Sequence, residues 1–248
     1  MARLDGRKLL LTRSADDAAD WAAALANEGA EPIVFPCIQT EPVTAPGLSD
    51  KLAAALATAD WLIFTSRRGV EACAALVGTR LSPAIRLAAV GEATATSLRE
   101  HFGQDNAVLV GGGTARALGD ALAGETSIRN GAHCVLVLAA NAGDGLAETL
   151  ARAGATVERF NVYRTVPAAV KNPKRPLSTL GCDTVIFASP SAVTGFDNQV
   201  NVDIPRQMVT IGPSTTAAVR ERRWDVTAEA REPTLSGIIE SVLETQHV

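Results

Sequence analysis

The stretch Asp60-Trp61-Leu62-Ile63-Phe64-Thr65-Ser66-Arg67-Arg68-Gly69-Val70 decides how the chain is read, because it recurs as Asp183-Thr184-Val185-Ile186-Phe187-Ala188-Ser189-Pro190-Ser191-Ala192-Val193. An apolar run of strand length ends in a hydroxyl residue and gives way to a helix-like segment, twice. Two further stretches repeat in the same order. Val90-Gly91-Glu92-Ala93-Thr94-Ala95 returns as Ile211-Gly212-Pro213-Ser214-Thr215-Thr216, and Leu25-Ala26-Asn27-Glu28-Gly29-Ala30 returns as Leu150-Ala151-Arg152-Ala153-Gly154-Ala155. Three echoes at nearly one spacing mark two related halves.

Around these repeats, short apolar runs alternate with alanine-rich segments of helical period, which predicts βαβ units and parallel sheets. Candidate strands cover residues 8–12, 33–35, 61–64, 87–90, 107–110, 134–138, 157–160, 185–187, 208–211 and 225–228. Ser14-x-x-Asp17 has the form of a capping box opening a helix through Trp21 and Leu25, and Gly29 stands where that helix should end. Proline-bearing segments, residues 35–42 and 161–176, read as linkers. They suggest that the chain leaves a first domain near Gln39 and returns to it near Tyr163. A tandem arrangement cut near Arg129-Asn130-Gly131 fits the repeat equally well.

Composition bounds the chemistry. The 248 residues are 47% hydrophobic and 20% charged, enough for one large domain or two small ones. The net charge is -4 without a basic cluster, which argues against nucleic-acid partners. No apolar run reaches the ~20 residues a membrane span needs, and the N-terminus lacks a signal-peptide pattern, so the expectation is a cytoplasmic protein. Cys37, Cys73, Cys134 and Cys182 stand singly, as buried reduced thiols do, and His101, His133 and His247 form no metal-ligand spacing.

In parallel α/β sheets, ligands meet the loops beyond the strand carboxyl ends, where helix N-termini present N–H groups suited to anions. Thr65 and Ser66, Gly91 and Thr94, Ser189 with Pro190 and Ser191, and Gly212 with Ser214 and Thr215 all fall at such ends, four equivalent sites expected to line one cleft. The plainer reading makes these hydroxyls N-caps. Arg13, ending the first strand, suits either a ligand carboxylate or a surface ion pair. Tyr163, the only tyrosine, is either a phenolic proton donor at the second linker or packing. No G-x-S-x-G elbow or P-loop occurs. Gly111-Gly112-Gly113-Thr114 opens a helix after a strand but has Arg116 where a dinucleotide fingerprint wants glycine or alanine.

Leu11-Thr12-Arg13, Ile63-Phe64-Thr65-Ser66, Ala89-Val90-Gly91-x-x-Thr94-Ala95, Val162-Tyr163-Arg164, Phe187-x-Ser189-Pro190-Ser191 and Ile211-Gly212-Pro213-x-Thr215, in this order, resemble the uroporphyrinogen-III synthase family across essentially the whole chain. The resemblance implies two similar flavodoxin-like α/β domains joined by a two-stranded linker. The first would hold residues 1–38 and 168–248, the second residues 41–160, with linkers near 39–40 and 161–167. It also implies closure of the linear tetrapyrrole hydroxymethylbilane with loss of water and inversion of ring D, by a monomer without metal or organic cofactor. A transient contact with the preceding pathway enzyme would accompany it. Tyr163 becomes the expected general acid, and Arg13 and the strand-end residues the carboxylate-binding set. The chain departs from the family at Arg67-Arg68, which either grip propionates or form a solvated helix face, and at Gly143-Asp144, where a glycine-arginine pair is usual. Two other readings remain at this point: a non-catalytic sensor of an anionic metabolite, and a nucleotide-dependent enzyme using the glycine run.

Overall fold

The structure is a computed structural model describing residues 3–103, 108–170 and 172–245. The chain divides into two compact units, Met1–Thr40 with Thr165–Val248, and Glu41–Arg164. The first unit opens with β1 (Lys8–Leu11), α1 (Ala15–Asn27) and β2 (Glu31–Val34), and β3 (Ile38–Pro42) leads out of it. The second unit runs through α2 (Leu48–Leu56), β4 (Trp61–Phe64), α3 (Arg67–Val77), β5 (Arg86–Ala89), α4 (Glu92–Phe102) and β6 (Val108–Val110). It continues through α5 (Ala115–Ala123), α6 (Thr126–Arg129), β7 (His133–Ala139), α7 (Gly145–Arg152) and β8 (Thr156–Pro167), whose end returns the chain to the first unit. That unit is completed by β9 (Arg175–Pro176), a 3-10 turn (Leu177–Leu180), β10 (Thr184–Phe187), α8 (Pro190–Gln199) and β11 (Val200–Asn201). Then come β12 (Gln207–Thr210), α9 (Pro213–Glu221), β13 (Ala228–Glu229) and α10 (Leu235–Glu244).

The first unit's main sheet has the order β13-β12-β10-β1-β2, with all four pairings parallel. The second unit's sheet has the order β3-β8-β7-β4-β5-β6, parallel from β8 to β6. In each sheet the winding reverses between two central neighbours, β1 and β10 in one, β7 and β4 in the other. Such reversals open a crevice at the strand carboxyl ends, where open α/β sheets hold ligands.

Both faces of each sheet are covered, so the central strands are buried at every position and are apolar but for Thr184 at the start of β10. Alternate residues feed opposite layers. Leu62 and Phe64 pack with Val70, Cys73 and Leu98 on the α3–α4 side, whereas Trp61 and Ile63 pack with Leu118, Leu146 and Leu150 on the α5–α7 side. In the first unit, Leu10 and Phe187 join Val193 and Phe196, and Leu9 and Leu11 join Leu25, Ile238 and Val242. Phe187, Phe196 and Trp224 meet edge-on and stacked at 5.3–6.5 Å between ring centres. Arg7 fastens α10 beneath that sheet, donating to the Val242 carbonyl at 3.1 Å and the Thr184 hydroxyl at 2.9 Å.

The expected helix cap is present: the Ser14 hydroxyl accepts from the Asp17 N–H and donates to the Asp17 carboxylate at 2.6 Å. Gly29 takes φ 90°, the left-handed turn that only glycine makes without cost. Parts of the proline-bearing segments are strands: β3 ends at Pro42 and β8 extends to Pro167, each proline closing its strand, where a missing N–H breaks no ladder. The last expected strand shrinks to Ala228–Glu229, because Thr227 already bonds Met208 through both its backbone N–H and its hydroxyl. Arg129-Asn130-Gly131 lies inside the second unit, where α6 ends and the chain turns toward β7. Ala107, Lys171 and His247 lie outside the described residues.

Candidate functional site

In both units the first helix after the central repeated strand starts in the same way. Ser66 (φ −163°, ψ 153°) caps α3 and Ser189 (φ −168°, ψ 158°) caps α8, each hydroxyl accepting from the N–H three residues on, at 3.1 Å from Gly69 and 3.2 Å from Ala192. The next helix of each unit starts at a glycine. Gly91 caps α4 and Gly212 caps α9 in extended conformation with no side chain over the helix end. Both helix starts therefore lack a side-chain cap and carry the positive end of a helix dipole, but α9 begins with Pro213, which has no N–H to offer, and Gly212 is buried where Gly91 is half-buried. Thr94 and Thr215 stand one turn inside these helices, 4% and 1% exposed.

The second unit brings two expected residues together. The Tyr163 phenol lies 2.8 Å from the Ser66 hydroxyl. Regular alternation along β8 would forbid this contact. Phe160 and Val162 face the α3–α4 layer, whereas Val157 packs on the α5–α7 side, the face an odd-numbered residue should share. The pairing with β7 slips by one residue, however, from Leu138 opposite Asn161 to Ala139 opposite Tyr163. The extra residue, Val162, turns Tyr163 onto the α3 side, as inserted residues in strands re-aim the side chains that follow them. Thr65 is half-buried beside Ser66, and Arg67 and Arg68 are half-buried rather than standing on an exposed helix face.

The first unit gathers the remaining candidates at its own strand ends. The Ser189 and Ser191 hydroxyls lie 3.0 Å apart, with Pro190 exposed between them, and Ser214 is exposed on the first turn of α9. Thr12 ties the end of β1 to the end of β10 by donating to the Ile186 carbonyl at 2.7 Å. Arg13 follows it, its guanidinium stacked 4.3 Å over the Trp21 ring.

The thiols suit no nucleophilic role. Burial pushes Cys73 and Cys134 up to about 12, with the Asp60 charge adding to the effect at Cys134, and burial also raises Cys37 and Cys182. Among the described residues no cluster of three or more His, Cys, Asp or Glu side chains could hold a metal ion, and no helix is long and apolar enough to cross a membrane.

The family model for uroporphyrinogen-III synthase HemD matches residues 19–240. The chain belongs to the uroporphyrinogen-III synthase family. A chloroplastic uroporphyrinogen-III synthase of Oryza sativa is 28% identical over 245 residues, 95% of this chain and 80% of that one. The porphyrin biosynthesis protein HemD of Ruminiclostridium josui is 25% identical over 97% of this chain, which spans 49% of that longer relative. The fold is that of the uroporphyrinogen-III synthetase of Helicobacter pylori, with a TM-score of 0.60 at 16% identity, covering 96% of this chain and 99% of that one. A mutant synthase from Thermus thermophilus gives 0.51 at 17% identity, covering 98% and 99%.

Two residues near these strand ends, Trp21 and Arg159, carry contacts that the sequence did not announce. Trp21, taken only as a helix residue, is the platform for Arg13, and its place eight residues beyond the arginine on an amphipathic helix was the available signal. Arg159 carried none. Apart from Asn161, its partners lie 15 to 20 residues away, at the end of β7 and in the loop after it, and no local pattern links them to it.

Proposed function

We propose that this chain closes hydroxymethylbilane to uroporphyrinogen III, with loss of water and inversion of ring D, as a cyclising lyase of tetrapyrrole (haem, cobalamin) biosynthesis. Its family membership supports the reaction, and the observation that carries the residue roles is the Tyr163–Ser66 contact at the winding reversal of the second sheet. Tyr163 donates its phenolic proton to the departing hydroxyl, which leaves as water and creates an azafulvene electrophile. Ring D attacks through its substituted carbon, and the spiro intermediate fragments and recloses. The proton lost on reclosure returns to the phenolate, so the step balances. The Gly69 N–H already occupies one lone pair of Ser66, which leaves the Ser66 proton free to stabilise the phenolate.

The substrate's eight carboxylates meet a protein of net charge -4, so local donors must hold them. We assign this to the helix ends at Thr65 and Ser66, Gly91, Ser189 to Ser191 and Gly212, to Thr94, Ser214 and Thr215, and to Arg13. Oriented N–H groups bind carboxylates without the desolvation cost of buried cations. The matching sheet orders support a duplicated flavodoxin-like architecture: with β7 as first strand, the second unit reproduces the 2-1-3-4-5 order of the first. In this reading the strand pair β3 and β8 is the two-stranded linker, and the protein works as a cytoplasmic monomer in transient contact with the preceding enzyme.

The test is to supply enzymatically generated hydroxymethylbilane and resolve the oxidised products. The type III isomer is expected in excess. Type I alone, the product of unassisted closure, would overturn the assignment and favour a sensor.

A further inference from the structure

The guanidinium of Arg159 spends its donors on the end of β7, the loop that follows it and β8 itself. Nη2 donates to the carbonyls of Ala139 at 3.2 Å and Ala142 at 2.7 Å, Nη1 pairs with the Asp144 carboxylate, and Nε donates to the Asn161 side chain at 2.9 Å. The side chain is 19% exposed. These partners straddle the place where β7 and β8 slip by one residue: Ala139 is the first residue of β7 after the slip, and Asn161 the last of β8 before it. The loop that Arg159 gathers returns the contact, because the Ala140 N–H donates to the Tyr163 carbonyl at 2.7 Å.

We propose that Arg159 is the positioning residue of Tyr163: it staples the one-residue slip that turns the phenol toward Ser66. An inserted residue costs a ladder pairing and persists only where other contacts compensate. A planar fork bonding both strands and the intervening loop supplies that compensation, and an ammonium, with no fixed geometry, does not. Without the fork, β8 relaxes toward regular alternation and Tyr163 swings toward the opposite face. The catalytic consequence rests on the proposed role of Tyr163, whereas the geometric one does not.

Tyr163 is the only tyrosine, so protein grown on 3-fluorotyrosine gives one 19F resonance reporting on this phenol alone. In the otherwise unaltered protein, Ser66→Ala is expected to shift that resonance. In Arg159→Lys the resonance is expected to move and to lose its response to Ser66→Ala, a non-additivity diagnostic of coupling. In unlabelled protein the same change is expected to lower kcat by ~10- to 100-fold with KM within about threefold, the pattern of a misaimed catalytic group. If Arg159→Lys fails to fold, Asn161→Ala, which removes one acceptor of the fork, is expected to move the resonance away from its wild-type position and to weaken its response to Ser66→Ala. An unmoved resonance in a folded variant overturns the proposal whatever the rate does, and a moved resonance with unchanged kcat overturns its catalytic consequence. A wild-type protein forming no type III isomer defeats the functional reading while leaving the resonance to decide the geometry.

Discussion

The Tyr163 phenol and the Ser66 hydroxyl, 97 residues apart in the chain, sit 2.8 Å from each other because an inserted residue in β8 turns one toward a helix cap occupied by the other. Ser66 thereby serves two partners, the Gly69 N–H and the phenol.

That double duty separates two substitutions. Tyr163→Phe keeps the ring in its packing place and removes only the phenolic oxygen, so stability should fall by ~1 kcal/mol or less while kcat falls by ~100-fold or more. Ser66→Ala removes a helix cap as well, costing ~1 kcal/mol of stability, and should slow turnover less. Thermal denaturation and initial rates on the same preparations measure both, and full turnover in Tyr163→Phe would remove the acid role.

Gly91 and Gly212 are not demanded by their own backbones. Both are extended, a side-chain carbon on Gly91 would lie 3.6 Å from the Gly113 Cα in ordinary contact, and one on Gly212 would meet nothing within 4 Å. Alanine at either position should leave stability within about 1 kcal/mol of the parent. If a substrate carboxylate approaches these helix ends, the added methyl should raise KM by about tenfold or more, equivalent to ~1.4 kcal/mol. Unchanged KM in both variants would take these ends out of the binding set.

Gly195 is the opposite case. A side-chain carbon there would fall 1.7 Å from the Cys37 carbonyl oxygen, backbone on backbone, so α8 would have to move off the chain leaving β2. Gly195→Ala should therefore cost ~3 kcal/mol or more. Urea denaturation reads the loss directly, and a parent-like midpoint would contradict the packing.

The buried thiols set an alkaline limit. Burial raises Cys73 and Cys134 from an ordinary 9.0 to about 12, so above pH 9 the unfolded chain releases protons that the folded chain retains. Their contribution to stability is complete below pH 9 and is lost progressively between about 9 and 12. Cys73→Ala with Cys134→Ala should flatten that part of a stability-versus-pH curve, and an equally steep decline in the double variant would assign it to other groups.

Local pattern made much of this protein legible. The strand at Trp61–Phe64 and its echo, apolar from Val185 to Phe187, follow from unbroken apolar runs, which only a sheet covered on both faces accommodates. The serine caps at Ser14, Ser66 and Ser189 follow from side-chain oxygens placed three residues before the N–H groups they accept from. The lengths of β3 and β8 did not follow, because proline reads as a breaker unless its place at a strand end is known.

What the amino-acid order determined alone is the parallel α/β architecture, the repeat, and the hydroxyls and glycines at helix starts, since each depends on residues within one turn or one strand. What only the tertiary structure decided is the pairing of Tyr163 with Ser66, the stacking of Arg13 on Trp21 and the grip of Arg159 on its loop. These contacts depend on strand register and on which sheet face a side chain takes, and a shift of one residue, invisible in composition or period, reverses that face.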